Sequence, residues 1–288
     1  MTYARLSPPI FTKPASGRSL SERIVLAVFA PDFAIRRFLE RTFARRARTD
    51  RFGIMEALAF GGRVDLWQRY AAVVEATKAL GEKPRTILEI GSGHKGVTQF
   101  LDLDRYQICM LDPFFLPAPE DVRVRSVIAD GAQLPFRDDA FDVVIAVDAL
   151  EHFPQRHRPA FAAETKRVAK EAVVIHVPAV SADGRWDGMN LDRSFNQWHR
   201  RLSGMEDRNS VEHLREGLPS VEQLRAFYPG ARLDGDQNGR VWLRCMLLTR
   251  IPFVGILTGF VYLLWGKRGA HKPPWHGCLV IDVSAVSE

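Results

Sequence analysis

The amino-acid sequence predicts an α/β fold, a mainly parallel sheet with helices on both faces. Three observations carry this. Between about residues 84 and 180, short apolar runs alternate with helix-like segments, as repeated β-α-β units require. The first run, Thr86-Ile87-Leu88-Glu89-Ile90, ends in the glycine turn Gly91-Ser92-Gly93. Acidic residues (Glu89, Asp112 and Asp130) stand at or near the carboxyl ends of three successive runs, where such sheets bind their ligands.

With 288 residues the chain can bury a substantial core in one large domain or two small ones. Hydrophobic content of 46% and charged content of 26% are ordinary for a soluble globular protein. Cys109, Cys245 and Cys278 are widely spaced and form no Cys-x-x-Cys pair. This disfavours a disulfide framework or a zinc site and fits a reducing, cytoplasmic setting. Met1 to Lys13 is polar and proline-broken, so no secretory signal is expected. The charge is uneven: residues 1–51 hold eleven Arg or Lys against four acids, while the remainder has 29 basic and 30 acidic residues. Such an arm suits anionic lipid or nucleic acid, and equally a solvated helical face.

Taken in order, residues 1–19 read as an irregular tail. Leu20 to about Arg48 is helical by spacing, with Ile35, Phe38, Leu39 and Phe43 on one face. A second helix is expected from about 64 to 80, stopped by Gly81 and Pro84. Together these form a basic N-terminal helical extension, 1–80, ahead of a catalytic domain over 81–288. Strands are expected at about 86–90, 107–111, 123–128, 142–147 and 172–177. Helices are expected at 95–102, 131–134 (a single turn) and 158–169. Residues 181–219, with Trp186, Trp198, His199 and His213 among many charges, read as a substrate-side insertion. A helix at 220–227 and strands near 240–248 and 278–285 follow, with an apolar insertion over 249–274.

The glycines Gly91, Gly93 and Gly96 fit a dinucleotide fingerprint, weak evidence by itself. Glu89 tips the balance, because a carboxylate beside the turn repels a pyrophosphate but suits a ligand bearing an ammonium group. Asp112 ends the second run and can accept hydrogen bonds from both ribose hydroxyls of a nucleoside. Asp130, followed by Gly131 and Ala132, can accept a hydrogen bond from an adenine amine.

Glu89-x-Gly91-x-Gly93, Asp112 and the run from Asp130 to Val144 together resemble a class I S-adenosylmethionine-dependent methyltransferase. The similarity extends through Ala149-Leu150-Glu151-His152-Phe153 to a fifth strand ending at Pro178, and is nearest to the small-molecule branch related to ubiquinone-type enzymes. It implies a Rossmann-like, mainly parallel seven-stranded sheet with insertions after the fifth strand and between the last two. It also implies S-adenosylmethionine as cofactor. Glu89, Gly91, Ser92 and Gly93 would hold the amino acid part, Asp112 and Pro113 the ribose, and Asp130, Gly131 and Ala132 the adenine. Asp148 and Ala149 would pass beneath the methionine end. Lys95 stands where the family often has a third glycine, with Gly96 next. No metal cluster is evident in the sequence.

A hydroxyl acceptor needs activation near neutral pH. His152 and His199 are the candidate bases, each with a structural alternative, while His176 reads as a packed strand histidine. Phe195 to Arg200 and Glu212 to Pro219 are similar to a segment of bacterial methyltransferases of polysaccharide biosynthesis. The expected acceptor is therefore a glycan, a lipid-linked glycan or another small molecule. A quinone or other lipophilic metabolite is the alternative, as is a non-catalytic cofactor-binding regulator. Nucleic acid is disfavoured, because Asp148-Ala149-Leu150-Glu151 replaces the Pro-Pro-aromatic signature of base-amine methylation.

Ile251 to Trp265 is apolar but short of the ~20 residues needed to span a bilayer. If the last two strands share one sheet, both ends of this segment emerge on the same side. A buried helix, a lid over a greasy acceptor and an interfacial membrane helix remain open. The last reading would put the protein peripherally on the inner face of the membrane.

Overall fold

The computed structural model describes residues 31–32, 34–39, 42–43, 53–60, 63–83, 85–93, 96–114, 121–249, 251, 253–266 and 274–283. Its strands are β1 (Arg85–Ile90), β2 (Tyr106–Asp112), β3 (Val124–Ile128), β4 (Phe141–Val147), β5 (Ala169–Pro178), β6 (Arg232–Asn238) and β7 (Pro274–Asp282). They form one seven-stranded sheet in the order β3-β2-β1-β4-β5-β7-β6. β1 lies between β2 and β4, all parallel, and β7 runs antiparallel to both β5 and β6.

Side chains on the central strands alternate between two cores, the consequence of a period of two on a sheet covered on both faces. Ile87, Val143, Ile145 and Val147 enter one core; Leu88, Ile90, Val144 and Ala146 enter the other. The first core is closed by helices α1 (Ile54–Phe60) and α2 (Val64–Ala79), through Phe60, Trp67, Tyr70 and Val74. Sequence spacing grouped residues 64–80 with the N-terminal extension, yet α2 packs directly on the sheet. The second core is closed by α3 (Arg158–Val168), which begins with Pro159 in its first turn, and by α6 (Val221–Phe227). A capping box between Ser220 and Gln223 starts α6.

The insertion after β5 folds as α4 (Gly188–Ser203) and α5 (Arg208–Glu216). Gly204, at φ 73°, ends α4, and the Asp207 carboxylate accepts the Ser210 amide at 3.0 Å to open α5. The expected strand near 240–248 is instead helix α7 (Gly239–Thr249). Gly239, Trp242 and Cys245 are its buried residues, a three-residue spacing that only a helix places on one face. The strand before it, β6, is polar and lies at the sheet edge, held by its backbone ladder to β7.

Two short helices also differ from expectation. Residues 95–102 hold only a 3-10 turn, Gly96–Gln99, and 131–134 form an irregular turn around the Asp130 carboxylate. The apolar segment forms α8 (Val254–Val261) and a π-turn, Tyr262–Gly266. Tyr262, Thr258 and Gly259 are buried beside α1 and α2, while Val254, Leu257 and Leu264 are exposed. Among the described residues no helix is long and apolar enough to cross a membrane. The tail over 1–19, most of the basic arm, His94, Lys95, Arg250, Lys267 and Arg268 lie outside the described residues.

Candidate active site

The turn after β1 is shaped by what lies beneath it. Gly91 and Gly93 have φ of 75° and 56°, conformations that glycine adopts without strain. A side chain at Gly91 would begin 2.7 Å from the Ala149 Cβ, so only glycine lets the turn rest on the end of β4. The Gly91 amide donates to the Leu111 carbonyl at 2.8 Å. Glu89 is fully buried. Its carboxylate accepts the Tyr70 hydroxyl at 2.9 Å and the Val97 amide at 2.8 Å. Burial raises its pKa to about 7, against the lowering effect of those two hydrogen bonds. Glu89 therefore has no surface open to the cleft. It is enclosed by protein and braces the loop from below.

Asp112 lies across from the turn, accepting the Gly93 amide at 3.2 Å and the Phe114 amide at 3.0 Å. Pro113 beside it is exposed. Asp130 is exposed and accepts the Ala132 amide at 2.9 Å. Gly131 is buried, and a side chain there would meet Ile90 at 2.9 Å and Phe153 at 3.1 Å. Ser92 is buried between these groups. The strand order thus brings Gly91–Gly93, Asp112 and Asp130 to one edge of the sheet, at the carboxyl ends of β1, β2 and the segment following β3.

The end of β4 is more heavily built than the sequence suggested. Asp148 has φ 47°, a left-handed conformation that Asp tolerates better than most residues. Its carboxylate is 2.6 Å from Arg69, 3.2 Å from His176 and 3.3 Å from His276. Desolvation would raise its pKa, but the Arg69 and His276 charges, with the two histidine hydrogen bonds, hold it well below the usual carboxylate range. Arg69 also pairs with Asp65 one turn earlier on α2, at 2.9 Å. His176 is indeed buried in β5, and stacks on His276 of β7 at 4.8 Å.

Beyond Asp148, a short turn over Leu150–His152 carries Glu151 and His152. Glu151 is fully buried; desolvation and the nearby Asp148 charge raise its pKa to about 8. His152 Nδ1 is 3.4 Å from Glu212 on α5, and its ring lies 5.0 Å from that of His213. Burial opposes protonation of His152, but the Glu212 hydrogen bond and the Glu151 charge leave its pKa above the ordinary value. His213 Nδ1 is 2.9 Å from Asp192 of α4. His199 stands apart from these groups: its Nδ1 is 3.0 Å from the Met205 carbonyl, at the corner between α4 and α5.

A cavity of about 110 Å³ opens among these elements, lined by Arg69, Asp148, Asp192, His213 and His276, with Phe195 and Trp242. A wider depression of about 510 Å³ lies at the opposite end of the sheet, where Lys83, Arg85 and Glu171 pair with one another. Sequence reading missed Arg69, Asp192 and His276, and named Tyr70 nowhere. The only local signal was Asp65 four residues before Arg69 on a helix otherwise facing the core.

Residues 88–176, just under a third of the chain, match the family model described as a methyltransferase domain. No curated protein matches the chain. Among solved structures, a methyltransferase assigned to antibiotic biosynthesis in Anabaena variabilis is similar at 13% identity and a TM-score of 0.46, covering 73% of this chain and 96% of the other. The 1,6-didemethyltoxoflavin-N1-methyltransferase of Burkholderia thailandensis is 19% identical over 43% of this chain and 60% of its own, at a TM-score of 0.34. A phosphoethanolamine N-methyltransferase of Haemonchus contortus is 14% identical over 72% of this chain and 51% of its own, at a TM-score of 0.42.

The sheet order, with β7 inserted antiparallel between β5 and β6, is that of the class I α/β methyltransferase fold, and residues 88–176 match a methyltransferase domain within it.

Proposed function

We propose that this enzyme transfers the methyl group of S-adenosylmethionine to a hydroxyl of a small molecule, a glycan or a lipid-linked glycan held in the cavity beside β4. The observation that carries the reading is the lining of that cavity. Arg69, Asp148, Asp192, His213 and His276 offer hydrogen-bonding groups, and Trp242 and Phe195 offer aromatic faces. Such a lining suits a hydroxylated acceptor better than a quinone, which presents mostly apolar surface.

In this reading Gly91, Ser92 and Gly93 accommodate the amino acid part of the cofactor, with Glu89 fixing the loop through Val97. Asp112 and Pro113 flank the ribose, Asp130, Gly131 and Ala132 the adenine, and Asp148 and Ala149 the sulfonium end. The acceptor oxygen loses its proton and attacks the methyl carbon in line, and the carbon–sulfur electron pair returns to sulfur. Alignment of oxygen, carbon and sulfur supplies much of the rate, up to roughly 7–11 kcal/mol in well-oriented cases. His152 stands on the acceptor side, where it serves hydroxyl activation. His199, bonded at the α4–α5 corner, contributes by shaping the insertion.

The domain boundaries follow the same logic: 81–288 as the methyltransferase domain and 181–219 as the acceptor-side insertion. Residues 1–80 are the N-terminal extension, with α2 reaching into the site through Arg69. Peripheral membrane contact fits the exposed Phe38, Ile54, Phe253, Leu257 and Leu264 near the basic arm. Liposome sedimentation with and without residues 1–51 tests this contact; salt-insensitive absence of binding in both forms removes it.

The decisive experiment offers labelled S-adenosylmethionine to the full chain with separated pools of glycans, lipid-linked glycans, quinones and RNA. Label in a glycan pool supports the reading. Label confined to quinones selects the lipophilic alternative, and cofactor binding without transfer to any pool selects the regulator.

A further inference from the structure

We propose that Glu151, His152 and His213 form a binding site for one divalent transition-metal ion. Each of the three offers a ligand atom, and these atoms lie within 4.8 Å of one another. They come from two elements, the turn after β4 and helix α5, which the sequence does not bring together.

The carboxylate is the first argument. Glu151 is fully enclosed, and among the described residues neither of its oxygens has a hydrogen-bond partner. A buried carboxyl left in that state costs free energy whether ionised or not. Arg158 interacts with Glu151 electrostatically but is not hydrogen-bonded to its carboxylate: Nη2 donates to the Glu151 and Gly217 backbone carbonyls, and Nε to the Phe153 carbonyl at 3.0 Å. A bound cation would answer both open oxygens.

The imidazoles are the second, independent argument. His213 Nδ1 faces Asp192 at 2.9 Å, and His213 Nε2 is buried without a partner. His152 Nδ1 faces Glu212 at 3.4 Å. In each ring a carboxylate fixes one nitrogen, so that the other is left as a lone-pair donor. Metal-ligating histidines are oriented in this way, with the far nitrogen donating to a carboxylate. Two imidazoles and one carboxylate suit borderline ions such as Zn²⁺, Co²⁺ or Mn²⁺, and three protein ligands leave positions open for a substrate oxygen.

A second group, Asp148, His176 and His276, is equally close-set. There the Arg69 guanidinium already sits 2.6 Å from the Asp148 carboxylate, which supplies the positive charge an ion would bring. The two groups therefore play different parts: among the described residues a guanidinium contacts the Asp148 carboxylate directly, whereas no hydrogen bond reaches the Glu151 oxygens.

The inferred ion deepens the proposed reaction and rests on it for its purpose. Bound just past the end of β4, it would hold the acceptor oxygen and lower the pKa of its hydroxyl. With one nitrogen on Glu212 and the other on the ion, His152 would activate the hydroxyl through the ion and not as a base, and the proton would pass to solvent before the oxygen takes the methyl group and sulfur keeps the electron pair.

The test is calorimetric titration of chelator-treated full-length protein with Zn²⁺, and visible absorption with Co²⁺, both without acceptor. We expect uptake of one ion per chain. Glu151→Gln and His213→Ala should each weaken it at least a hundredfold, and Asp192→Asn roughly ten- to a hundredfold with all three ligands kept. Circular dichroism guards against misfolding, and Glu151→Gln introduces no buried charge. No stoichiometric uptake, uptake unchanged in both ligand variants, or loss in His276→Ala alone overturns the site. One ion bound, with methyl transfer indifferent to it, leaves the site standing and overturns the acceptor role.

Discussion

Glu89 holds the loop that follows it: its Oε2 stands 2.8 Å from the amide nitrogen of Val97. This bond ties the end of β1 to the 3-10 turn beyond the glycines, and Tyr70 on α2 takes the other oxygen. The residue read as a ligand contact is thus a buried brace between a helix, a strand and the binding loop.

A pH dependence follows. The Glu89 pKa is raised from 4.5 to about 7 in the folded protein, so the folded state binds its proton more tightly than the unfolded chain. Its contribution to stability is fully present below pH 4.5 and is lost as pH rises to about 7, at most about 3 kcal/mol. Glu89→Gln can still accept from Val97 and meet the Tyr70 hydroxyl. Urea melts at pH 5 and pH 8 should differ less in this variant than in the native protein; an unchanged difference would refute the assignment.

The glycines of the loop should not be equivalent. At Gly96 a side chain would collide with the Glu89 carboxylate, whereas at Gly93 it would meet open space. Gly93→Ala carries only the left-handed backbone cost, about 1–2 kcal/mol. Gly96→Ala adds displacement of a buried brace and should melt several degrees lower than Gly93→Ala.

Asp112→Ala removes the acceptor proposed for the ribose hydroxyls and also releases the Gly93 amide. Calorimetry should show S-adenosylmethionine binding weakened at least tenfold, about 1.4 kcal/mol, with the fold intact. Native-like affinity would exclude Asp112 from the cofactor site.

Arg69 and Asp148 are a partly buried pair, 24% and 16% exposed at their side chains. Arg69→Met should destabilise by about 2–3 kcal/mol, below the full cost of stranding a deeply buried charge. The double variant Arg69→Met with Asp148→Asn should recover most of it. Additive losses in denaturant melts would show that the two residues are not coupled.

His152→Gln should lower turnover far more than cofactor affinity, and His199→Gln should lower it less. Steady-state rates and S-adenosylhomocysteine binding measured on both variants separate these outcomes. Equal, small effects would remove histidine from the chemistry.

The parallel half of the fold was legible because its signals are local. Ile87 and Leu88, or Val143 and Val144, announce opposite faces by adjacency, and Gly91 and Gly93 mark the turn. Helix α7 was misread because Val241 to Leu248 is an apolar run whose helical period shows only once Trp242 and Cys245 are seen to share a face. β6 escaped notice because Arg232 to Asn238 carries no apolar alternation; its backbone ladder to β7 and the packing of Leu233 on the core keep it in place. The proposed cofactor edge could be read from spacing along single strands. The proposed acceptor side could not, since Arg69, Asp192, His213 and His276 come from four separate elements and share no spacing.

β7 is laid down last of the seven strands, yet it occupies an interior place in the sheet, and it carries His276 to Asp148. During translation, β6 has no neighbour to join until that final segment has left the ribosome. A nascent chain can thus complete the proposed cofactor cradle while the proposed acceptor chamber is still open. Acquisition of catalysis should lag behind acquisition of ligand affinity, by the time needed to synthesise the intervening helices.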